Sequence, residues 1–256
     1  MSKLTNALLE LMSPLELTSY LATYLPLRQM APKAPKRHGR HVLVLPGFLT
    51  GDATTAPLRH LLSRLGYETH GWDLGLNRGP TQELQAKLQV LLHSLYEKHG
   101  KISIVGWSLG GLYARELARR YPHMVRQVIT LGTPACHADP DELPPLLVQA
   151  AEYLTAQEFE ELHAGFFKHG KSNPPVPTTA VYSKTDGVVN MNSSLIEESR
   201  IHQNVAVHAT HIGMGVNPAV LWVVADRLAK PVSRWSKFRP PRNFLASAFP
   251  AQKPPQ

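Results

Sequence analysis

Cysteine is almost missing from this chain. Cys136 is the single one among 256 residues, so no intrachain disulfide can form and folding needs no oxidising compartment. Long apolar runs are missing as well: none reaches the roughly 18 residues that span a membrane. The N-terminus, MSKLTNALLELMSPLEL, is interrupted by Glu10 and is followed by no small-residue cleavage site, so it reads as neither a signal peptide nor an anchor. Together these absences lead to the expectation of a cytoplasmic protein. Aromatic residues make up 7% and charged residues 18%, against 43% hydrophobic, which is the balance of an ordinary globular chain. The length suits one sizeable core and is short for two large domains.

Acid is lacking in one place above all. Residues 230–256 hold six Lys or Arg and no Asp or Glu, and residues 1–40 carry a net charge of +4, so the overall +8 resides in the flanks. A basic flank serves either as a solubilising tail or as a peripheral contact with anionic membrane lipid. Nucleic acid is not an expected partner, because the basic residues accompany no recognised binding module.

What is present is an alternation. Residues 1–40 read as a helical extension and linker. Ser13-Pro14-Leu15-Glu16 has the form of an N-cap, a Pro at N1 and a Glu at N3. Leu17, Tyr20, Leu21 and Tyr24 then predict one apolar helix face. From His41 to Lys230, short apolar strands (41–45, 67–72, 102–106, 125–131, 179–183, 205–207) alternate with helices (57–65, 81–98, 109–120, 218–229). Strands that are apolar nearly throughout predict an α/β fold with a mostly parallel sheet covered by helices on both faces. Residues 136–172 break the alternation with two helices, near 143–154 and 157–167, and read as a small helical lid. The basic tail, 231–256, contains several prolines and is expected to be extended or mobile.

Gly106-Trp107-Ser108-Leu109-Gly110 lies between an apolar strand and a helix. That setting turns a common pattern into a candidate nucleophile: a strained turn lifts Ser108 above the sheet, and glycines remove the clashes that side chains would cause. A serine hydroxyl needs a base to take its proton, and in this arrangement acid and then base follow on loops after later strands. Asp186, in Thr185-Asp186-Gly187, is the candidate acid; Asp139 and Asp141 fit the order less well, and Asp226 falls inside the last helix. His211, in His211-Ile212-Gly213-Met214-Gly215, is the candidate base, because imidazole titrates near working pH. His208 is its nearest rival, whereas His60, His93 and His123 read as surface residues. The turn Leu45-Pro46-Gly47-Phe48 and the residue after the nucleophile nominate the backbone N–H groups of Phe48 and Leu109 as an oxyanion hole.

These motifs, with Leu131-Gly132-Thr133-Pro134, Asp186-Gly187-Val188-Val189 and Asn217-Pro218, make the stretch from His41 to Lys230 resemble bacterial α/β-hydrolases of the esterase and lipase kind. The resemblance implies carboxylic-ester hydrolysis through a Ser–His–Asp triad, with no cofactor and no metal. Trp107 and Pro46-Gly47 stand where many lipases carry a His and a His-Gly, so long-chain lipase activity does not follow from it. The expected substrate is a small-molecule or lipid ester, with Phe166, Phe167 and Trp107 as candidate substrate contacts and Leu146 and Leu147 as further apolar candidates in the lid. Two alternatives stay open: an acyltransferase or thioesterase using the same triad, and a non-catalytic hydrolase-like protein that binds membrane surfaces through its basic ends.

Overall fold

The computed structural model describes residues 10–35, 40–134 and 172–250. The expected lid, with its two helices, Phe166, Phe167, Leu146 and Leu147, lies outside the described residues, as do Asp139 and Asp141. Six strands form one sheet: β1 (His41–Leu45), β2 (Glu68–His70), β3 (Ile102–Trp107), β4 (Val125–Leu131), β5 (Thr178–Ser183) and β6 (His202–Val207). Their order is β2-β1-β3-β4-β5-β6, and every neighbouring pair is parallel. All the strands therefore end on one edge of the sheet, which is where open parallel sheets build their sites.

The helices are α1 (Ser13–Met30), α2 (Asp52–Arg64), α3 (Gln82–His99), α4 (Leu109–Arg120), the single turn α5 (Met191–Ser194) and α6 (Pro218–Ala229). Successive strand side chains point to opposite faces, and two core layers result. Val42, Val44, Val105 and Trp107 join α1, α2 and α6 on one side; Leu43, Leu45, Ile102 and Ile104 join α3 and α4 on the other. Burial on both faces is why the strands read as unbroken apolar runs. Among the described residues, no helix is long and apolar enough to cross a membrane.

Local chemistry sets most boundaries. Thr81 Oγ1 accepts from Leu84 N–H at 3.1 Å to start α3, and Asn217 Oδ1 accepts from Ala219 and Val220 N–H to start α6. Helix α2 begins at Asp52, earlier than the Pro57 expected from sequence. The Asp52 carboxylate accepts from Trp72 and Asp73 N–H, which ties the helix start to the chain leaving β2.

Two expectations about the flanks need correcting. Helix α1 docks against α6 and the turn that follows His211, but through Tyr20 and Leu27, which are buried, while Leu17 and Leu21 are 47% and 68% exposed. The basic tail is extended yet not loose through residue 250. Phe238, Leu245 and Phe249 are buried in the core, Phe238 N–H donates to Gln203 Oε1 at 2.7 Å, and the buried Arg227 lies beneath the Trp235 and Phe238 rings. The apolar residues between its basic ones give the tail a surface to bury. Leu27→Ala should lower the unfolding free energy by about 2–5 kcal/mol in urea denaturation, and Leu21→Ala by less than about 0.5 kcal/mol; equal losses would contradict this docking face.

Candidate active site

Strand β3 passes into α4 through Ser108, whose backbone sits at φ 53° and ψ −123°. A residue with a side chain in that region carries strain of about 1–3 kcal/mol. Close packing holds it there. Ser108 N–H donates to Leu131 O at 2.8 Å, and Ser108 O accepts from Gly111 N–H and Thr133 Oγ1, each at 2.9 Å. A Cβ on Gly106 would overlap the Gly110 carbonyl, and one on Gly110 would overlap the carbonyls of Leu45 and Pro46. The backbones of β1, the turn and α4 touch because both residues are glycine.

Ser108, Asp186 and His211 come from three separate loops and meet. His211 Nε2 is 3.0 Å from Ser108 Oγ, and His211 Nδ1 is 2.8 Å from Asp186 Oδ2. Asp186 Oδ1 accepts from Val188 N–H at 2.9 Å and Val189 N–H at 2.7 Å, so the Asp-Gly-Val-Val run folds back on its own carboxylate and fixes the orientation of the oxygen facing His211. Both Asp186 and His211 are buried. Gly132 lies beneath the pair at φ 52°, and a Cβ there would press on Asp186 Oδ2 and His211 Nδ1.

The Pro46-Gly47-Phe48 turn abuts the serine: a Cβ on Gly47 would stand 3.3 Å from Ser108 Cβ. Among the described residues, no backbone carbonyl accepts from the N–H of Phe48 or Leu109. The turn is held by Asn77, which sequence reasoning missed. Asn77 is fully buried; its Nδ2 donates to Pro46 O at 3.0 Å, its carbonyl accepts from Leu49 N–H at 2.7 Å, and its Oδ1 accepts from Tyr113 OH at 3.1 Å.

Two further carboxylates were also missed. Glu10 Oε1 accepts from Gly187 N–H at 2.7 Å and His211 N–H at 2.8 Å, and Oε2 accepts from Ile212 N–H at 2.9 Å. Glu16 accepts from Thr210 N–H, from Thr210 Oγ1 and from Asn217 Nδ2, the last at 2.6 Å. Burial raises the Glu16 pKa, and its hydrogen bonds only partly oppose that. The expected capping role is therefore overturned: the N-cap is Met12, with no side-chain capping bond, and Glu16 reaches the base loop instead. The only sequence signal was two lone acids in an otherwise basic flank.

Trp107 is 9% exposed, and its Nε1 donates to His211 O at 3.2 Å, which braces the base from below. His208, the rival base, is exposed, as are His60 and His123. His93 is half-buried against the Tyr121 ring rather than on the surface. Asp226 lies on α6 and pairs with Arg227.

The geometry has counterparts in known proteins. Residues 40–172 match the family model described as the alpha/beta hydrolase fold. The chain belongs to this family. Curated relatives named pimeloyl-[acyl-carrier protein] methyl ester esterase align over shorter stretches. The one from Aromatoleum aromaticum is 46% identical over 59 residues, covering 23% of this chain and 22% of the relative. The one from a Shewanella species is 33% identical over 101 residues, covering 38% and 36%. The matched stretches thus span well under half the length of these relatives. Two solved structures share the fold at low identity. The 2,6-dihydroxy-pseudo-oxynicotine hydrolase is 17% identical, with a TM-score of 0.59 over 78% of this chain and 62% of that one. The Bacillus licheniformis lipase BlEst2 is 16% identical, with a TM-score of 0.56 over 78% and 96%.

Within this hydrolase fold, Asn77 is the residue on which the first turn depends. Asn77→Ala should destabilise the protein by about 1–3 kcal/mol in denaturant unfolding, because it removes two buried hydrogen bonds, to the Pro46 carbonyl and from the Tyr113 hydroxyl; a change under about 0.5 kcal/mol would show that the turn holds without it.

Proposed function

We propose that this protein hydrolyses carboxylic esters through an acyl-enzyme on Ser108. The observation that carries the reading is the continuous chain from the strained Ser108 through His211 to Asp186, at 3.0 and 2.8 Å. His211 Nε2 takes the hydroxyl proton as Ser108 Oγ attacks the ester carbonyl carbon. Asp186 keeps the proton on His211 Nδ1 and stabilises the imidazolium that forms. The N–H groups of Phe48 and Leu109 receive the negative charge that develops on the carbonyl oxygen. Collapse breaks the bond to the alkoxy group, which leaves as an alcohol with the proton from His211. Water then attacks the acyl-enzyme, His211 takes its proton, and the acid departs as that proton returns to Ser108. The printed names of the curated relatives make a methyl ester of a carrier-bound acyl chain the first substrate to assay.

Glu10 enters this scheme as a positioning residue, since it holds the backbone beside both the acid and the base. It also bears on the charge of the base. Burial by itself would lower the His211 pKa, but the Asp186 charge, the hydrogen bond to Asp186 and the Glu10 charge outweigh it, and the pKa is raised above the ordinary 6.5. Catalysis needs the neutral imidazole, so kcat/KM should rise with pH through an acid limb lying above 6.5. The stability linkage has the matching sign: protonated His211 adds stability below its unfolded pKa, and that contribution is lost as pH rises through the folded pKa.

A fluorophosphonate probe should label the wild-type protein and leave Ser108→Ala unlabelled, while p-nitrophenyl ester hydrolysis falls by at least about a thousandfold in that variant; labelling that persists would end the assignment of the nucleophile. Glu10→Gln should lower kcat and move the acid limb of kcat/KM to lower pH, because the substitution removes a charge that favours the imidazolium. A limb that stays in place would reduce Glu10 to a structural contact.

A further inference from the structure

Away from the elbow, three histidines converge on the outer part of the sheet. His41 opens β1, His70 closes the edge strand β2, and His99 closes α3. One nitrogen from each ring lies within 4.8 Å of the others. His41 Nδ1 and His70 Nε2 are 3.2 Å apart, and the His41 and His99 rings stack with centroids separated by 3.9 Å. Glu68 Oε2 lies 3.7 Å from His41 Nε2, the other nitrogen of that ring. The register Val42↔Ser103 sets His41 level with the start of β3. Ser108 is six residues further along, roughly 20 Å at about 3.3 Å per residue, so this cluster has no part in the chemistry above.

We propose that His41, His70 and His99 form a binding site for a divalent transition-metal ion of the zinc type, with water as the fourth ligand. A set of imidazole donors suits zinc and its neighbours rather than magnesium or calcium. Ligands at 2.0–2.1 Å from a tetrahedral ion are about 3.4 Å from one another, and the His41–His70 pair already stands near that separation. His99 is exposed at the end of its helix, so its ring can turn out of the stack onto the ion without a backbone shift. His41 and His99 also line a surface recess with Lys101 and Arg126, which gives an entry path. Those two cations and Arg40, which sits 3.6 Å from Glu68, oppose a bound cation, so the site is one of modest affinity. The ion would join the end of α3 to the paired strands β1 and β2, and occupancy would stabilise the folded chain by mass action.

The test uses the full-length, untagged protein after chelator treatment, titrated calorimetrically with Zn2+ and, separately, with Mg2+. One Zn2+ per chain should bind saturably and raise Tm, and Mg2+ should do neither. His70→Ala and His99→Ala should each weaken Zn2+ binding by more than about tenfold and abolish the Tm increase. Because His99 is exposed, its variant keeps the fold, which circular dichroism checks. The proposal is overturned if the wild type shows no saturable Zn2+ binding, or if the His99 variant binds as tightly as the wild type, which would put the ion on other residues. Neither readout depends on ester hydrolysis, so failure here leaves the Ser108 assignment standing.

Discussion

Ser108 holds its positive φ because three backbones touch beneath it. Glycine at 106 and 110 brings β3, α4 and the end of β1 into contact, and hydrogen bonds from Gly111, Thr133 and to Leu131 clamp the turn from both sides. Strain of a few kcal/mol persists only where the surroundings over-determine it, and the centre of a buried parallel sheet does that. The rest of the site is arranged around this one turn. Parallel pairing puts the ends of β1, β5 and β6 on the same edge, so an anchoring turn, an acid and a base need only short loops to reach the serine. The order β4-β5-β6 sets the acid and base loops side by side, and Gly132 leaves the space in which they meet.

Electrostatics adds a second layer that the fold alone does not require. His211 lies between the carboxylate of Asp186 and that of Glu10, and the neighbouring Glu16 grips Thr210 and Asn217. Glu10 and Glu16 take backbone N–H groups from loop residues that no strand or helix would otherwise satisfy. The cost appears at Glu16, whose burial makes its charge unfavourable. The charge at Glu10, like that of Asp186, favours the protonated form of His211. The N-terminal basic flank thus contributes to the site through its two acids.

Much of this was legible in the sequence, for reasons that can be located. Strands β1 and β4 and helices α4 and α6 have the boundaries that their apolar period and caps imply, since those signals are local. That Ser108, Asp186 and His211 could meet was legible because each follows a strand and has a glycine within two residues. What escaped depends on partners that leave no mark in a sequence. Asn77, Glu10 and Glu16 all bond to backbone groups, and any residue supplies those. Strand β6 starts at His202, not Val205, because Gln203 and Asn204 satisfy their polar atoms on Thr179 and Ile196 and can be strand residues despite their composition. Half of the face expected on α1 packs inward: Tyr20 is buried and donates to Pro57 O, and Tyr24 lies against the core, whereas Leu17 and Leu21 are exposed.

The contacts that complete the site are among the longest in the chain. Glu10 meets Gly187, His211 and Ile212 across 177 to 202 residues. Entropy does not forbid this, because closing a loop grows costlier only logarithmically with its length. The sequence separation matters for dynamics instead. Helix α1 contributes only Tyr20 and Leu27 to the buried core, so undocking of residues 10–30 would leave the sheet centre with most of its contacts. In that state the elbow keeps its strain and its hydrogen bonds, but the base loop loses every acceptor that Glu10 and Glu16 provide. The bonds from Glu10 and Glu16 thus tie the loop of His211 to the N-terminal segment, while Ser108 is held by the backbone at the core of the sheet.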